Sequence, residues 1–236
     1  MVDYISLFQE LTNELKNYPF VEIVEFAIQP PITDDDVRDV ESVLGAPLAK
    51  SIRDFYTQAN GLRLHWRIKP DLPVAESHAL IDKSNDYYPM IAEYIEDPFA
   101  IINILPLKET ITRKWPEIQV AKGRKTTVWN GKRYSLSQFI KWIKPFDLLN
   151  QEYCMAYLTL PGSGNPQVLL LTGGYSEWRD SKVTDFESYL WMLLATKGIV
   201  EARTKIFSKK NDDGRDTYLD TDLNFWKKTY SPKLFS

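Results

Sequence analysis

The 236-residue chain has one cysteine, two histidines and no long apolar run. Its single thiol, Cys154, cannot close an intramolecular disulfide, which is typical of a protein in a reducing compartment such as the cytoplasm. Cysteine and histidine together are too few to supply the four ligands of a structural zinc site. The sequence also lacks a basic leader and a stretch of about 18 apolar residues, so it predicts neither a secretory signal nor a membrane span.

An excess of positive charge is also missing. Lys and Arg number 29 against 32 Asp and Glu, and the formal net charge is -3. Because a basic excess is the usual mark of nucleic-acid binding, this composition disfavours that function. Hydrophobic residues make up 44% of the chain and charged residues 26%, which is typical of a folded domain. The aromatic content of 13% suits a packed core or a partner-binding face.

Helices and strands are predicted from the spacing of apolar residues and from capping residues. Thr33 is expected to cap a helix with an acidic first turn. Thr184 is expected to cap the last apolar helix, with Glu187 completing a capping box. Since strand and helix do not alternate, we expect an α+β fold with an antiparallel sheet flanked by helices. The predicted elements are helices at 3–17, 34–44, 48–59 and 185–197 and strands at 20–28, 62–68, 99–111, 152–160 and 167–174.

We expect a single domain over residues 1–198. An inserted excursion is predicted at 111–145, with a turn at Asn130-Gly131 followed by a serine-capped helix. A C-terminal extension at 199–236 is predicted to pack on the same domain and to begin with a strand.

The run ITDDDVRDVESVLGAPLAKSIRDFYTQANG resembles the signature of the SUKH superfamily, the Smi- and Knr-type proteins. The later stretch DFESYLWMLL is similar to the C-terminal helix of that family. The chain differs from the pattern at Ala49, where the family usually has Pro, and at Leu62, where it has a second Gly. The residues that match the signature are Ile32, Glu41, Leu44, Gly45, Leu48, Phe55, Tyr56, Asn60 and Gly61.

The resemblance implies an α+β scaffold used mainly for protein binding. Bacterial members are commonly immunity proteins that neutralise toxins, often nucleases, and fungal members act in cell-wall signalling. We therefore expect a cytoplasmic, non-enzymatic immunity protein that needs no cofactor and occludes the active site or substrate groove of a cognate toxin. The alternative is a regulatory scaffold that recruits endogenous signalling or cell-wall proteins.

Acidic and aromatic residues are the candidates for partner binding. Five acids crowd the predicted helix after Thr33, more than the helix dipole needs, and the surplus could steer a basic partner or could simply stabilise the helix start. Aromatic residues near turns are candidate anchors, although most such residues lie in cores. The candidate residues are Asp34, Asp35, Asp36, Asp39, Glu41, Trp66, Tyr175 and Trp178, with Tyr87 and Tyr88 as further aromatic candidates.

No arrangement of residues indicates catalysis or metal binding. His65 is expected to be a solvated residue on a strand, and Cys154 to be a buried strand thiol, so a Cys-His nucleophile is not predicted. A calcium loop aligned on Gly214 would place Lys209 where a carboxylate is essential, which favours a solvated loop. We predict no enzymatic activity and no metal.

One basic stretch makes nucleic acid an alternative ligand. Residues 122–134 interleave lysine and arginine with Trp129 and Tyr134, a combination that could stack on and neutralise single-stranded nucleic acid. The alternative is an exposed hairpin with solvated charges, which the negative net charge favours.

Overall fold

The computed structural model describes residues 2–69, 100–115, 118, 125–150, 153–173, 178 and 181–207. These residues form an α+β fold, as predicted. The helices are α1 (Tyr4–Lys16), α2 (Asp34–Leu44), α3 (Lys50–Tyr56), α4 (Leu107–Thr112), α5 (Leu136–Trp142), α6 (Phe186–Ala195) and α7 (Val200–Phe207). The strands are β1 (Val21–Ile28), β2 (Leu62–Ile68), β3 (Ala100–Ile104), β4 (Thr126–Trp129), β5 (Lys132–Ser135), β6 (Ile143–Leu148), β7 (Cys154–Leu158), β8 (Gln167–Leu171) and β9 (Val183–Thr184).

Seven of these strands form one sheet in the order β1-β2-β3-β6-β7-β8-β9, and β4 and β5 form a separate hairpin. Each pair of neighbours is antiparallel, which confirms the predicted sheet type. β1 lies at one edge and carries a bulge between Ile23 and Glu25. The opposite edge is β9, a strand of only two residues.

The α2–α3 segment forms as its local sequence predicts. Thr33 caps α2 by accepting a hydrogen bond from the Asp36 amide at 3.1 Å, and the Gly45 amide closes the helix by donating to the Glu41 carbonyl. Asn60 then joins this segment to α4, because its side-chain oxygen accepts a hydrogen bond from the Leu107 amide at 2.9 Å. The predicted caps of α2 are therefore confirmed, whereas α3 ends at Tyr56, earlier than the predicted stop at Asn60-Gly61.

The main core lies on one face of the sheet, beneath α1, α2, α3, α6 and α7. Its centre is a group of buried rings from α3, β6 and α6. Phe55 and Phe186 meet edge to face at 5.4 Å between ring centroids, and Phe146 stacks on Tyr157 at 4.1 Å. Aromatic pairs of this kind add specific geometry to the area they bury, so they hold the helical layer in register with the sheet.

A second core covers the other face of β6, β7 and β8. There α5 and the β4–β5 hairpin place Phe139 against Trp178, with the rings stacked at 5.9 Å. Every residue of β7 is consequently buried, and so is Cys154, as predicted. β2 differs, because its burial alternates along the strand, and its outward residues Arg63, His65 and Arg67 are not buried.

A buried ion pair joins the sheet to α7. The Arg203 guanidinium lies 2.7 Å from the Asp147 carboxylate on β6, and both side chains have no exposed surface. Asp147 also accepts hydrogen bonds from the Tyr189 hydroxyl and, at 2.7 Å, from the Asn103 amide. Arg203 donates further to the carbonyls of Gly198 and of Ile101 in β3. One network therefore connects β3, β6, α6 and α7.

Two predicted ends of elements were wrong. The strand predicted at 99–111 ends at Ile104, and Pro106 precedes α4, because proline suits the start of a helix and lacks the amide that a strand would need. The last apolar helix is capped by Asp185, which accepts from the Ser188 amide at 2.7 Å, whereas Thr184 belongs to β9.

The structure also differs from the prediction in the inserted excursion and in the C-terminal extension. Residues 143–145 belong to β6 in the middle of the sheet, where Pro145 lies beside a register shift. The segment 200–207, predicted as a strand, is α7, and its Arg203 and Phe207 are fully buried. Both parts therefore complete the core of the domain. Residues 208–236 lie outside the described residues.

The loop between β7 and β8 packs against the α2–α3 linker and offers a test of this contact. Gly164 accepts a hydrogen bond from the Ala49 amide at 2.7 Å, and a Cβ on Gly164 would overlap the Pro47 carbonyl. We expect Gly164→Ala to destabilise the fold by about 1–3 kcal/mol, as overpacking does. Urea unfolding measures the change. The exposed neighbour Asn165→Ala serves as control and is expected to stay within about 0.5 kcal/mol of the parent. Equal stability of both variants would contradict the contact.

The buried ion pair predicts strong coupling between its two partners. Arg203→Met leaves the Asp147 charge without its cation and is expected to cost about 3–5 kcal/mol. Asp147→Leu is expected to be similarly costly, because it leaves the buried Arg203 guanidinium without its counter-charge. The double variant should lose less than the sum of the two, since no buried charge is left uncompensated. Urea unfolding of all four proteins measures the coupling, and strictly additive losses would show that the pair does not act as a unit.

Candidate functional site

The acidic residues at the start of α2 lie in ion pairs with cations. Asp35 pairs with Arg38 one turn further on. Lys108 of α4 places its Nζ 2.7 Å from an Asp36 oxygen and 2.9 Å from an Asp39 oxygen. These hydrogen bonds raise the pKa of Lys108, and the bond from Lys108 lowers the pKa of Asp36. One lysine thus bridges two aspartates, and the apparent surplus of acid joins α2 to α4.

Glu41 also has a structural position. Its carboxylate accepts a hydrogen bond from the Leu48 amide at 2.8 Å and forms an ion pair with Arg53. It therefore links α2, the following linker and α3. Asp34 is exposed at the first position of α2. The other four acids have partners within the domain, so scaffold chemistry accounts for most of the acidic cluster.

The two described aromatic candidates lie in the cores. Trp66 has no exposed surface, and its indole nitrogen donates to the Lys197 carbonyl at 2.8 Å. Trp178 exposes 2% of its surface and stacks on Phe139. Neither ring offers contact area to a partner in this conformation, and both occupy core positions, the alternative given with the anchor hypothesis. Outside the described residues lie the remaining aromatic candidates, Tyr87, Tyr88 and Tyr175.

The basic hairpin β4–β5 turns its aromatic rings inward. Trp129 exposes 4% of its surface and donates to the Gln167 side chain at 3.0 Å, and Tyr134 meets Trp142 edge to face at 5.6 Å. Lys132 is exposed. Because stacking on bases requires exposed rings, Trp129 cannot serve as a platform for single-stranded nucleic acid in this conformation.

Polar side chains occupy the outer face of β1–β3, opposite the main core. Glu22 pairs with Arg67 across the two strands at 2.7 Å, and Glu25 forms a longer contact of 3.5 Å with Arg63. Along the same face, Glu25 lies opposite His65 in the ladder. The outer face therefore alternates carboxylates and cations that largely offset one another.

A concavity of about 480 Å³ lies on this outer face, where the end of β6 meets β3. We name it the outer concavity. Ile101 and Leu148 supply apolar parts of its wall. Its shape is broad and open to solvent, which suits a group presented by another molecule. The lining residues are Glu25, Arg63, His65, Ile101, Ile102, Asn103, Leu148, Leu149 and Asn150.

Two polar atoms of the outer concavity are buried without a hydrogen-bond partner, His65 Nε2 and Asn103 Oδ1. Burial lowers the pKa of His65, against the opposing effect of Glu25. The histidine predicted to be solvated is therefore only partly exposed. Alternation along β2 predicted the face on which His65 lies, but it carries no information on the concave shape formed with β6.

The described residues show no arrangement for metal chemistry. No group of three or more His, Cys, Asp or Glu side chains that could hold a metal ion occurs in the described ranges. The titratable side chains that line the outer concavity are Glu25, Arg63 and His65. Among the described helices, none is long and apolar enough to cross a membrane.

Comparison with protein-family models, with curated proteins and with solved structures finds no match to this chain. The SUKH resemblance therefore depends on the signature itself. Its residues form one structural unit, in which the apolar members are buried and Glu41, Gly45 and Asn60 make caps and links. The buried signature residues are Ile32, Leu44, Leu48, Phe55 and Tyr56.

The partial burial of His65 predicts a dependence of stability on pH. A histidine whose pKa is lowered by folding takes up its proton more readily when unfolded, so stability is full above its ordinary value of 6.5 and falls as the pH drops through the folded pKa. His65→Gln is expected to flatten the fall in the free energy of unfolding between about pH 7 and pH 5. Urea unfolding across this range measures it, with the parent protein as reference. Parallel curves would mean that His65 is solvated.

Proposed function

We propose that this chain is a SUKH-type immunity protein, which binds a cognate toxin and blocks its active site or substrate groove. One observation carries the proposal: the outer concavity, of about 480 Å³ and open to solvent, combines an apolar wall with polar and charged side chains.

The composition of this surface supports protein binding. Apolar residues of β3 and β6 line the outer concavity, and the ion pair of Glu22 with Arg67 lies on the same face. Stable interfaces commonly combine an apolar centre with a polar rim. The sequence signature supports the SUKH part of the proposal, since its residues build α2 and α3, which pack on the opposite face of the same sheet.

Inhibition by occlusion requires contact and no chemistry in the chain. A side chain projecting from the toxin would enter the outer concavity, and the rest of the sheet face would cover the toxin surface around it. The acids of α2 are offset by Arg38 and Lys108. The long-range electrostatic attraction of a basic toxin should therefore be weaker than five unpaired carboxylates would produce. Affinity should depend mainly on contacts that slow dissociation of the complex.

Co-expression tests the proposal. The chain is produced together with the product of a toxin gene encoded beside its own, in a host that the toxin kills. We expect restored growth and a complex that survives affinity purification and size-exclusion chromatography. Absence of both would contradict the proposal, and so would recovery of several chromosomal proteins in place of one toxin from the native host.

A matched pair of variants tests the role of the outer concavity. Ile101→Lys places a long cation in its wall and is expected to weaken the complex at least tenfold, on the order of 1.4 kcal/mol or more. Val43→Lys makes the same change on α2, where the side chain is 60% exposed, and should leave binding unchanged. Isothermal titration calorimetry measures both affinities after thermal unfolding has shown that the variants fold. Equal affinities would place the interface elsewhere.

A further inference from the structure

Positive charge is concentrated in one segment of the chain. Residues 111–145 contain nine Lys or Arg and a single acid, Glu117, which gives this segment a formal charge of +8. Because the whole chain carries -3, all its other residues together carry -11. The negative net charge therefore comes from the rest of the protein, and it does not weigh against a basic binding surface on this segment.

The β4–β5 hairpin, which lies in this segment, has one buried face and one exposed face. Thr127 and Trp129 of β4 are buried, whereas Val128 between them is 59% exposed. Arg133 lies opposite Val128 in the ladder, and directly opposed residues share a face of the hairpin. Lys132, which follows the turn, is exposed as well. The hairpin therefore presents two neighbouring cations to solvent.

The helix α5 extends this exposed side. Leu136 and Phe139 are its buried residues, whereas Ser137 and Lys141, four residues apart on one helix face, are exposed. The Leu136 amide donates to the Lys125 carbonyl at 3.0 Å, so the exposed Lys125 lies at the start of this helix. We name the exposed side of the hairpin and α5 the basic surface, and its cations are Lys125, Lys132, Arg133 and Lys141.

The cations of the basic surface are not neutralised by neighbouring acids. None of the four forms an ion pair with a residue that the structure describes. On the outer face of β1–β3, in contrast, Arg67 pairs with Glu22 and Arg63 contacts Glu25. A polyanion that approaches the basic surface therefore gains the attraction of several cations without first breaking ion pairs.

The composition of the basic surface favours phosphate groups over an acidic protein. Val128 is the one large apolar side chain exposed on its described residues, whereas protein interfaces usually have an apolar centre. Interfaces with DNA are more polar and more positive. The exposed hydroxyl residues beside the cations are of the type that contacts phosphate oxygens, and they are Thr126, Ser135 and Ser137.

We infer that the basic surface binds the phosphate backbone of double-stranded DNA. A duplex fits better than a single strand, because the buried ring of Trp129 is withdrawn from stacking on bases. The major groove of B-form DNA, about 12 Å wide, admits a two-stranded hairpin such as β4–β5, whereas side chains cannot read the deep, narrow major groove of double-stranded RNA. This site shares no residue with the outer concavity, so the inference goes beyond the proposed function.

Fluorescence anisotropy with a labelled DNA duplex of about 20 base pairs tests this inference on the full-length protein. We expect a Kd of about 1–100 µM near physiological salt, the range of binding through phosphates alone. Three or four phosphate contacts predict a slope of about -3 for log K against log salt concentration. An RNA duplex, a single DNA strand, poly-glutamate and anionic lipid vesicles are the comparison probes, and each is expected to bind at least fivefold more weakly.

Removal of charge from the basic surface should weaken duplex binding. The variant combines Lys132→Gln, Arg133→Gln and Lys141→Gln. We expect at least a tenfold rise in Kd and a salt slope that is smaller in magnitude by about 2–3, because each lost phosphate contact lowers it by about one. Thermal unfolding shows whether the variant keeps the fold.

A control variant loses the same amount of charge elsewhere. It combines Lys16→Gln, Arg38→Gln and Lys50→Gln, which replace exposed cations on α1, α2 and α3. Its net charge equals that of the first variant, and it should keep the affinity and the salt slope of the parent protein. Equal weakening in both variants would show that only net charge matters and would overturn the inference.

The comparison probes provide the other contrary outcomes. Absence of duplex binding near physiological salt would remove the site. Poly-glutamate or vesicles bound as tightly as the DNA duplex would indicate an acidic protein or a membrane surface as the partner. A single strand or an RNA duplex bound as tightly would contradict recognition of duplex DNA. None of these results depends on the toxin test, which concerns the outer concavity.

Discussion

The buried contact between Asp147 and Arg203 is the interaction on which the rest of the fold depends. It joins a central strand to the last described helix and, through the Tyr189 hydroxyl and the Asn103 amide, reaches α6 and β3. A charge without exposed surface is tolerated only when its counter-charge and hydrogen bonds are all in place. The two halves of the sheet and both C-terminal helices must therefore assemble together.

The two ends of the sheet are covered differently. The half that contains β6–β8 is covered on both faces, by the main core and by the second core around Phe139. The β1–β3 half carries its own charged residues on the outer face, and the outer concavity lies at the boundary between the two halves. Asn103 lies at that boundary and connects the two halves of the sheet. Its backbone amide donates to Asp147 of β6, while its side chain lines the outer concavity.

Much of the fold could be predicted from local sequence signals. The Thr33 cap, the Gly45 stop and the alternation along β2 depend on neighbours within a few residues, and the structure confirms them. The strand containing Pro145 and the helix α7 were missed, because a proline and an arginine in those segments oppose the simple apolar pattern. Their positions are set by a partner 56 residues away in the sequence. The candidate site was missed for the same reason. Alternation along a strand shows on which face of the sheet a residue lies, whereas the shape of the outer concavity comes from the packing of β3 against β6, which are distant in sequence.

The edges of the sheet have a consequence for how other chains can approach. β1 is bent by its bulge and carries Glu22 and Glu25, and β9 offers only two residues. Irregular, charged or very short edge strands resist the addition of another strand. Copies of this protein are therefore protected from edge-to-edge aggregation. A partner is accordingly directed away from backbone pairing and toward recognition by side chains.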